Sequence, residues 1–186
     1  DHPDDIEAMG RIAHILAVQG RLPEARVWYA RAIELAPNNT QLRESLISRL
    51  IDAGKYEPAI EQYRELDKID PGNADYIEKW GQLVFENPAN DEKQRTADAA
   101  KIWHKMLVGH EDDPVIVIRV ADLLRYAKLT DEAIALYKKA ISLAPGNPQY
   151  REYLGEYYHL LKKPAEAKEV WKQIASGPRR NRENLV

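Results

Sequence analysis

A recurrence of 34 residues restricts what this chain can fold into more than any other feature. Pro3, Pro37 and Pro71 follow one another at that spacing, and each precedes a polar pair, Asp4-Asp5, Asn38-Asn39 or Gly72-Asn73. Pro145, with Gly146-Asn147, falls two periods plus six residues further on. A second track sets an alanine four residues before an aromatic: Ala25/Tyr29, Ala59/Tyr63, Ala99/Trp103, Ala133/Tyr137 and Ala167/Trp171, in steps of 34, 40, 34 and 34. A third track, Leu16, Leu50, Val84, Leu124 and Tyr158, steps by 34, 34, 40 and 34. These offsets confine six extra residues to the stretch between Val84 and Ala99, where Asn87-Pro88-Ala89-Asn90-Asp91-Glu92 reads as a lengthened loop. Tracks that share a period mark stacked copies of one supersecondary unit.

Each period holds two helical patterns. In the first, Ile6, Met9, Ile12, Ala13 and Leu16 recur at helical spacing until Gly20 breaks the run. Pro23 then suits the first turn of a second helix, where its missing N–H costs nothing, and Ala25, Tyr29, Ala32 and Ile33 mark the buried face. Pro58 and Pro164 hold nearly the same place in later periods, and Thr130-Asp131 is expected to supply an N-cap there instead. The most β-like run, Val115-Ile116-Val117-Ile118, falls where the period demands a helix, so a helix is expected. A lone hairpin of this length cannot hide its apolar face and must stack on neighbours. The small residues then permit close approach, and the five aromatics of the second track are expected to fill the core.

With large, small and aromatic residues at set places and a closing proline, the period resembles the tetratricopeptide repeat. Counting Ile6 as position one, Met9, Ile12, Ala13, Leu16, Gly20, Ala25, Tyr29, Ala32 and Pro37 match it closely. The resemblance implies an all-α fold, a right-handed superhelical solenoid of five antiparallel helical hairpins. It covers residues 6–39, 40–73, 74–113 with the inserted loop near 87–92, 114–147 and 148–181, expected as one domain over residues 1–186. The third repeat departs most, since Glu111 stands where its proline would fall. Pro3 reads as the tail of a preceding repeat, and nothing after Ile174 reads as a polar capping helix. The chain is therefore expected to be a section of a longer protein, with apolar end faces that leave self-association through the end repeats open.

Composition removes whole classes of function. With 27 Lys and Arg against 30 Asp and Glu, the net charge is −3, whereas nucleic-acid and anionic-membrane binders need a cationic surplus. The basic knot Arg179, Arg180 and Arg182 reads as a solvated terminus or the start of another repeat. Cysteine is absent, excluding disulfides and thiolate chemistry. No apolar run approaches the roughly 20 residues of a membrane span. The sequence contains no phosphate-binding glycine loop, no Gly-x-Ser-x-Gly and no His-Glu-x-x-His. His104 and His110, six residues apart, share no helical face well, and no metal or other cofactor is expected. The expectation is a non-catalytic protein-interaction scaffold, with a cytoplasmic location as the default. The alternative is a substrate-recruiting or regulatory segment of a larger enzyme, such as a glycosyltransferase or protease.

The resemblance further implies that the first helix of each hairpin lines a concave groove, a surface suited to an extended peptide or a helix. Its outward positions nominate Arg11, His14, Ser48, Lys79, Gln82, Arg119, Asp122, Arg125, Tyr126 and Glu156 as the site. Position six reads Arg11, Ser45, Lys79, Arg119 and Tyr153, a partly basic row that could steer an acidic or carboxylate-bearing segment. Glu44, Glu78 and Glu152 alternate with it, and the charges could equally cancel. The Lys-Asn-Asn-Lys-Arg set with which one subfamily grips the carboxylate of chaperone tails does not assemble. Gly10, His14 and Ser45 stand at its first three places.

Overall fold

The computed structural model describes residues 5–175, so that Pro3, Arg179, Arg180 and Arg182 lie outside the described residues. Every regular element among them is helical: α1 (Ile6–Val18), α2 (Leu22–Leu35), α3 (Thr40–Asp52), α4 (Tyr56–Ile69), α5 (Ala74–Glu86), α6 (Glu92–His104), α7 (Pro114–Tyr126), α8 (Thr130–Leu143), α9 (Pro148–Leu160) and α10 (Pro164–Ala175). A short 3-10 turn, Lys105–Leu107, follows α6. The run Val115–Ile118 is helical within α7, as its place in the period requires.

The repeat fixes the helix ends as well as the helices. The side chains of Asp5, Asn39, Asn73, Asp113 and Asn147 accept backbone N–H bonds at the starts of α1, α3, α5, α7 and α9. At the opposite ends, Gly20 and Gly54 turn the chain with φ of 78° and 66°, and Lys128 and Lys162 do the same at 61° and 57°. Behind each of these residues a six-residue backbone bond closes the turn, for example Arg21 N–H to Leu16 O at 2.9 Å and Leu129 N–H to Leu124 O at 2.9 Å. That geometry overturns one expectation. Thr130-Asp131 does not cap α8, because the left-handed turn at Lys128 feeds straight into the helix. Leu129 occupies the cap position without a side-chain bond, and Thr130 is the first helical residue. Its Oγ1 instead accepts the Tyr157 hydroxyl at 3.2 Å.

The described residues fall into two compact units, one ending at Lys105 and the other beginning at Met106. In the first, hairpins α1/α2, α3/α4 and α5/α6 stack by packing α2 on α3 and α4 on α5, and α1 also approaches α3. In the second, α7/α8 stacks on α9/α10 through α8 and α9. The alanine–aromatic track forms the cores: Ala25, Tyr29, Ala59, Tyr63, Ala99, Trp103, Ala133, Tyr137 and Ala167 are all buried. Trp171, on the last described helix, is the exception, 38% exposed. Its indole leans on Gly155, where an added Cβ would lie 2.1 Å from Nε1.

The insertion is anchored rather than loose. Asn87, only 2% exposed, donates from its side-chain amide to Glu57 on α4 at 2.7 Å and accepts the Ala89 N–H at 3.1 Å. Asp91 caps α6 at the end of the loop.

Candidate functional site

In the first unit the helix period turns one face of α1, α3 and α5 toward two neighbouring clefts. The larger, about 710 Å³, lies between α1 and α3; Arg11, His14, Gly10, Leu42 and Ser45 line it, and Tyr29 of α2 reaches it from beneath. The smaller, about 270 Å³, lies between α3 and α5, where Ser48 and Lys79 meet Glu44, Ile51, Asp52 and Tyr63. Four of the nominated residues are thus gathered into clefts. Gln82 lines neither, and its amide donates to Glu86 at 2.9 Å.

The other five nominated residues belong to the second unit. Asp122 accepts the Tyr137 hydroxyl and pairs with Arg125 at 3.2 Å. Arg125 also lies over the Tyr157 ring, 6.0 Å from its centroid. Burial, then the bond to Asp122, pushes the Tyr137 phenol far above its ordinary range. Arg119 is half-buried, while Tyr126 and Glu156 are exposed.

One member of the basic row is answered by an ion pair within the chain. Arg11 pairs with Glu7 at 3.2 Å, with side chains 66% and 81% exposed, a contact worth only about 0–1 kcal/mol. Glu44, which alternates with the row, accepts the Tyr76 hydroxyl at 2.8 Å and so ties α3 to α5.

Sequence reasoning assigned Tyr29 to the core alone. It is indeed 1% exposed, but its hydroxyl is buried with no hydrogen-bond partner, and the residue lines the larger cleft. Burial raises its phenol above the ordinary value, with the Arg49 guanidinium pulling it partly back. A hydroxyl desolvated without an acceptor costs about 1–3 kcal/mol. Tyr137 avoids that cost through Asp122, fifteen residues before it. The same spacing from Tyr29 reaches His14, which supplies no such bond. The signal in the sequence is that Asp122 stands fifteen residues before Tyr137, whereas His14 and Ser48 stand at that distance from Tyr29 and Tyr63.

Among the described residues no cluster of three His, Asp or Glu side chains is placed to hold a metal ion, and no helix is long and apolar enough to cross a membrane. Paired helices capped alike and stacked through small and aromatic residues define a helical-repeat protein. The chain belongs to the tetratricopeptide repeat family: one family model for that repeat matches residues 12–145 and a second matches residues 120–176. Solved structures agree on the fold. The MamA protein is similar over 91% of this chain and 89% of its own, at 21% identity and a TM-score of 0.54. YrrB, a tetratricopeptide-repeat protein described as having an unusual peptide-binding site, is similar over 93% of this chain and 86% of its own, at 16% identity and a TM-score of 0.52. TTC0263, a thermophilic repeat protein of Thermus thermophilus, is similar over 94% of this chain and 93% of its own, at 19% identity and a TM-score of 0.51. No curated protein matches the chain in sequence.

Proposed function

We propose that this chain is a protein-interaction scaffold without chemistry of its own, and that the faces of α1 and α3 receive an extended peptide segment of a partner protein. The observation that carries this reading is the cleft of about 710 Å³, apolar along much of its wall and carrying the unsatisfied Tyr29 hydroxyl. A concave site with a few convergent polar groups is how proteins commonly take side chains of a ligand. The helical-repeat fold supports the reading, as does the peptide-binding site described for YrrB, a protein of similar fold.

The test is selection from a displayed library of random nine-residue peptides, followed by titration of the winners into the chain. Ser45→Trp, which fills the cleft from its half-buried wall, is expected to weaken the selected peptides at least about tenfold while leaving helicity unchanged. Equal affinity in that variant would move the binding surface elsewhere, and a selection that enriches nothing would remove the peptide-binding role.

A further inference from the structure

We infer that the α1–α3 cleft selects peptides by an acidic side chain, Asp or Glu, seated against the Tyr29 hydroxyl; the inference rests on the peptide-binding role proposed above. Another hairpin of the molecule shows one acceptor that a tyrosine hydroxyl at this position can use. In the hairpin α7/α8, Tyr137 at the same repeat position donates to the Asp122 carboxylate, which also meets the Arg125 guanidinium at 3.2 Å. In α1/α2 the residue at the place of Asp122 is His14, and the Tyr29 hydroxyl is left buried without an acceptor at the edge of an open cleft.

The remaining polar groups of the cleft suit the same ligand. Arg11, Gln41 and Ser45 bring N–H and O–H donors to its wall. Glu7 is the carboxylate among the lining residues, and it stands 81% exposed at the rim, held only by an exposed pair with Arg11. The Tyr29 O–H is itself covered, so a carboxylate entering from a partner reaches it only by parting the side chains over it, while Arg11 at the rim can turn from Glu7 toward the acid at little cost. Ile15 and Leu42 make the adjoining wall apolar, so hydrophobic residues beside the acid would be covered as it binds.

The experiment titrates the full chain with acetylated, amidated nine-residue peptides that differ only at a central Asp, Asn, Ala or Lys between leucine and phenylalanine residues. A fifth peptide keeps the central Ala and carries a free carboxyl terminus. The Asp peptide is expected to bind about tenfold tighter than the Ala peptide, and the Lys peptide weakest. Tyr29→Phe, which removes only the hydroxyl, is expected to bring the Asp and Ala peptides within about twofold of one another. His14→Asp, which rebuilds the arrangement of Asp122 inside the chain, is expected to abolish the preference too, with helicity retained in both variants. Equal binding of Asp and Ala peptides to the parent chain would overturn the inference while leaving peptide binding intact. So would an Asp preference that survives Tyr29→Phe, or a preference for the free carboxyl terminus over the central acid. Failure of all five peptides, together with an empty library selection, would remove the peptide-binding role and this inference with it.

Discussion

At the scale of single residues, the tightest constraint in the first unit is a side chain that is missing. A Cβ on Gly81 would lie 2.2 Å from Nε1 of Trp103, a fully buried indole that has nowhere to move. Gly155 stands in the same relation to Trp171. Where the aromatic is a tyrosine, as at Tyr29 and Tyr137, the corresponding residue of the first helix is Ala13 or Ala121. At Tyr63 the corresponding residue is Ile47, so glycine goes with each tryptophan and a residue that carries a side chain goes with each tyrosine. Gly81→Ala is expected to destabilise the fold, since overpacking costs about 1–3 kcal/mol and exceeds the gain of about 1 kcal/mol in helix propensity. Trp103→Tyr should be destabilising alone, as it gives up the indole bond to the Glu78 carbonyl at 3.2 Å. Combined, the two changes rebuild the alanine–tyrosine pair and should couple favourably by about 1 kcal/mol in a double-mutant cycle. Urea midpoints of the four proteins decide it; strictly additive losses would show that the glycine answers some other need.

At the scale of elements, the insertion after α5 is the one place where the repeat is interrupted, and Asn87 holds it. Its buried amide joins the loop to Glu57 on α4 while its carbonyl oxygen folds the loop back on Ala89. Asn87→Ala is expected to cost about 1–3 kcal/mol and to expose residues 87–92 to proteolysis; unchanged melting and cleavage would mean that Pro88 and Asp91 hold the loop without it. The position of this loop was legible in the sequence because six extra residues displaced two periodic tracks together, and the helices were legible because a cap recurs before each first helix. Other details were not. Lys128 and Lys162 take a left-handed turn that a reader assigns to glycine, and that turn is what displaced the expected cap at Thr130. Trp171 matches the buried aromatics in spacing, yet it is 38% exposed, because spacing places a residue on a face and does not say what covers that face. At the candidate site, helical period alone told which residues of α1 and α3 face outward. The pairing of Arg11 with Glu7 and of Arg125 with Asp122 depends on rotamers, and the unsatisfied hydroxyl of Tyr29 depends on a neighbour that fails to reach it.

At the scale of the whole molecule, the buried tyrosines give both units the same vulnerability to base. Burial raises the phenols of Tyr29, Tyr63, Tyr76 and Tyr137, with Tyr63 pushed up to about 12 by desolvation and then by Glu44. A phenol whose proton is held more tightly in the folded than in the unfolded chain contributes stability that is fully present below the unfolded value, about 10. That stability is lost as pH rises through the folded value, because the unfolded chain releases the proton first. Stability is therefore expected to be level from neutral pH to about pH 10 and to fall steadily from there toward pH 12 and beyond. Lysines lose charge over the same interval, so the phenols must be isolated by substitution. Tyr63→Phe and Tyr137→Phe together should flatten the decline, although removing the Tyr137 bond to Asp122 lowers stability at neutral pH. Urea midpoints measured between pH 8 and pH 12, alongside phenolate absorbance and helicity, make the comparison. Phenolate should appear in two steps, exposed tyrosines first and the buried ones only as helicity disappears. A single titration near pH 10 with helicity intact would mean that the phenols are in contact with water, and that the close stacking of hairpins around them does not persist in solution.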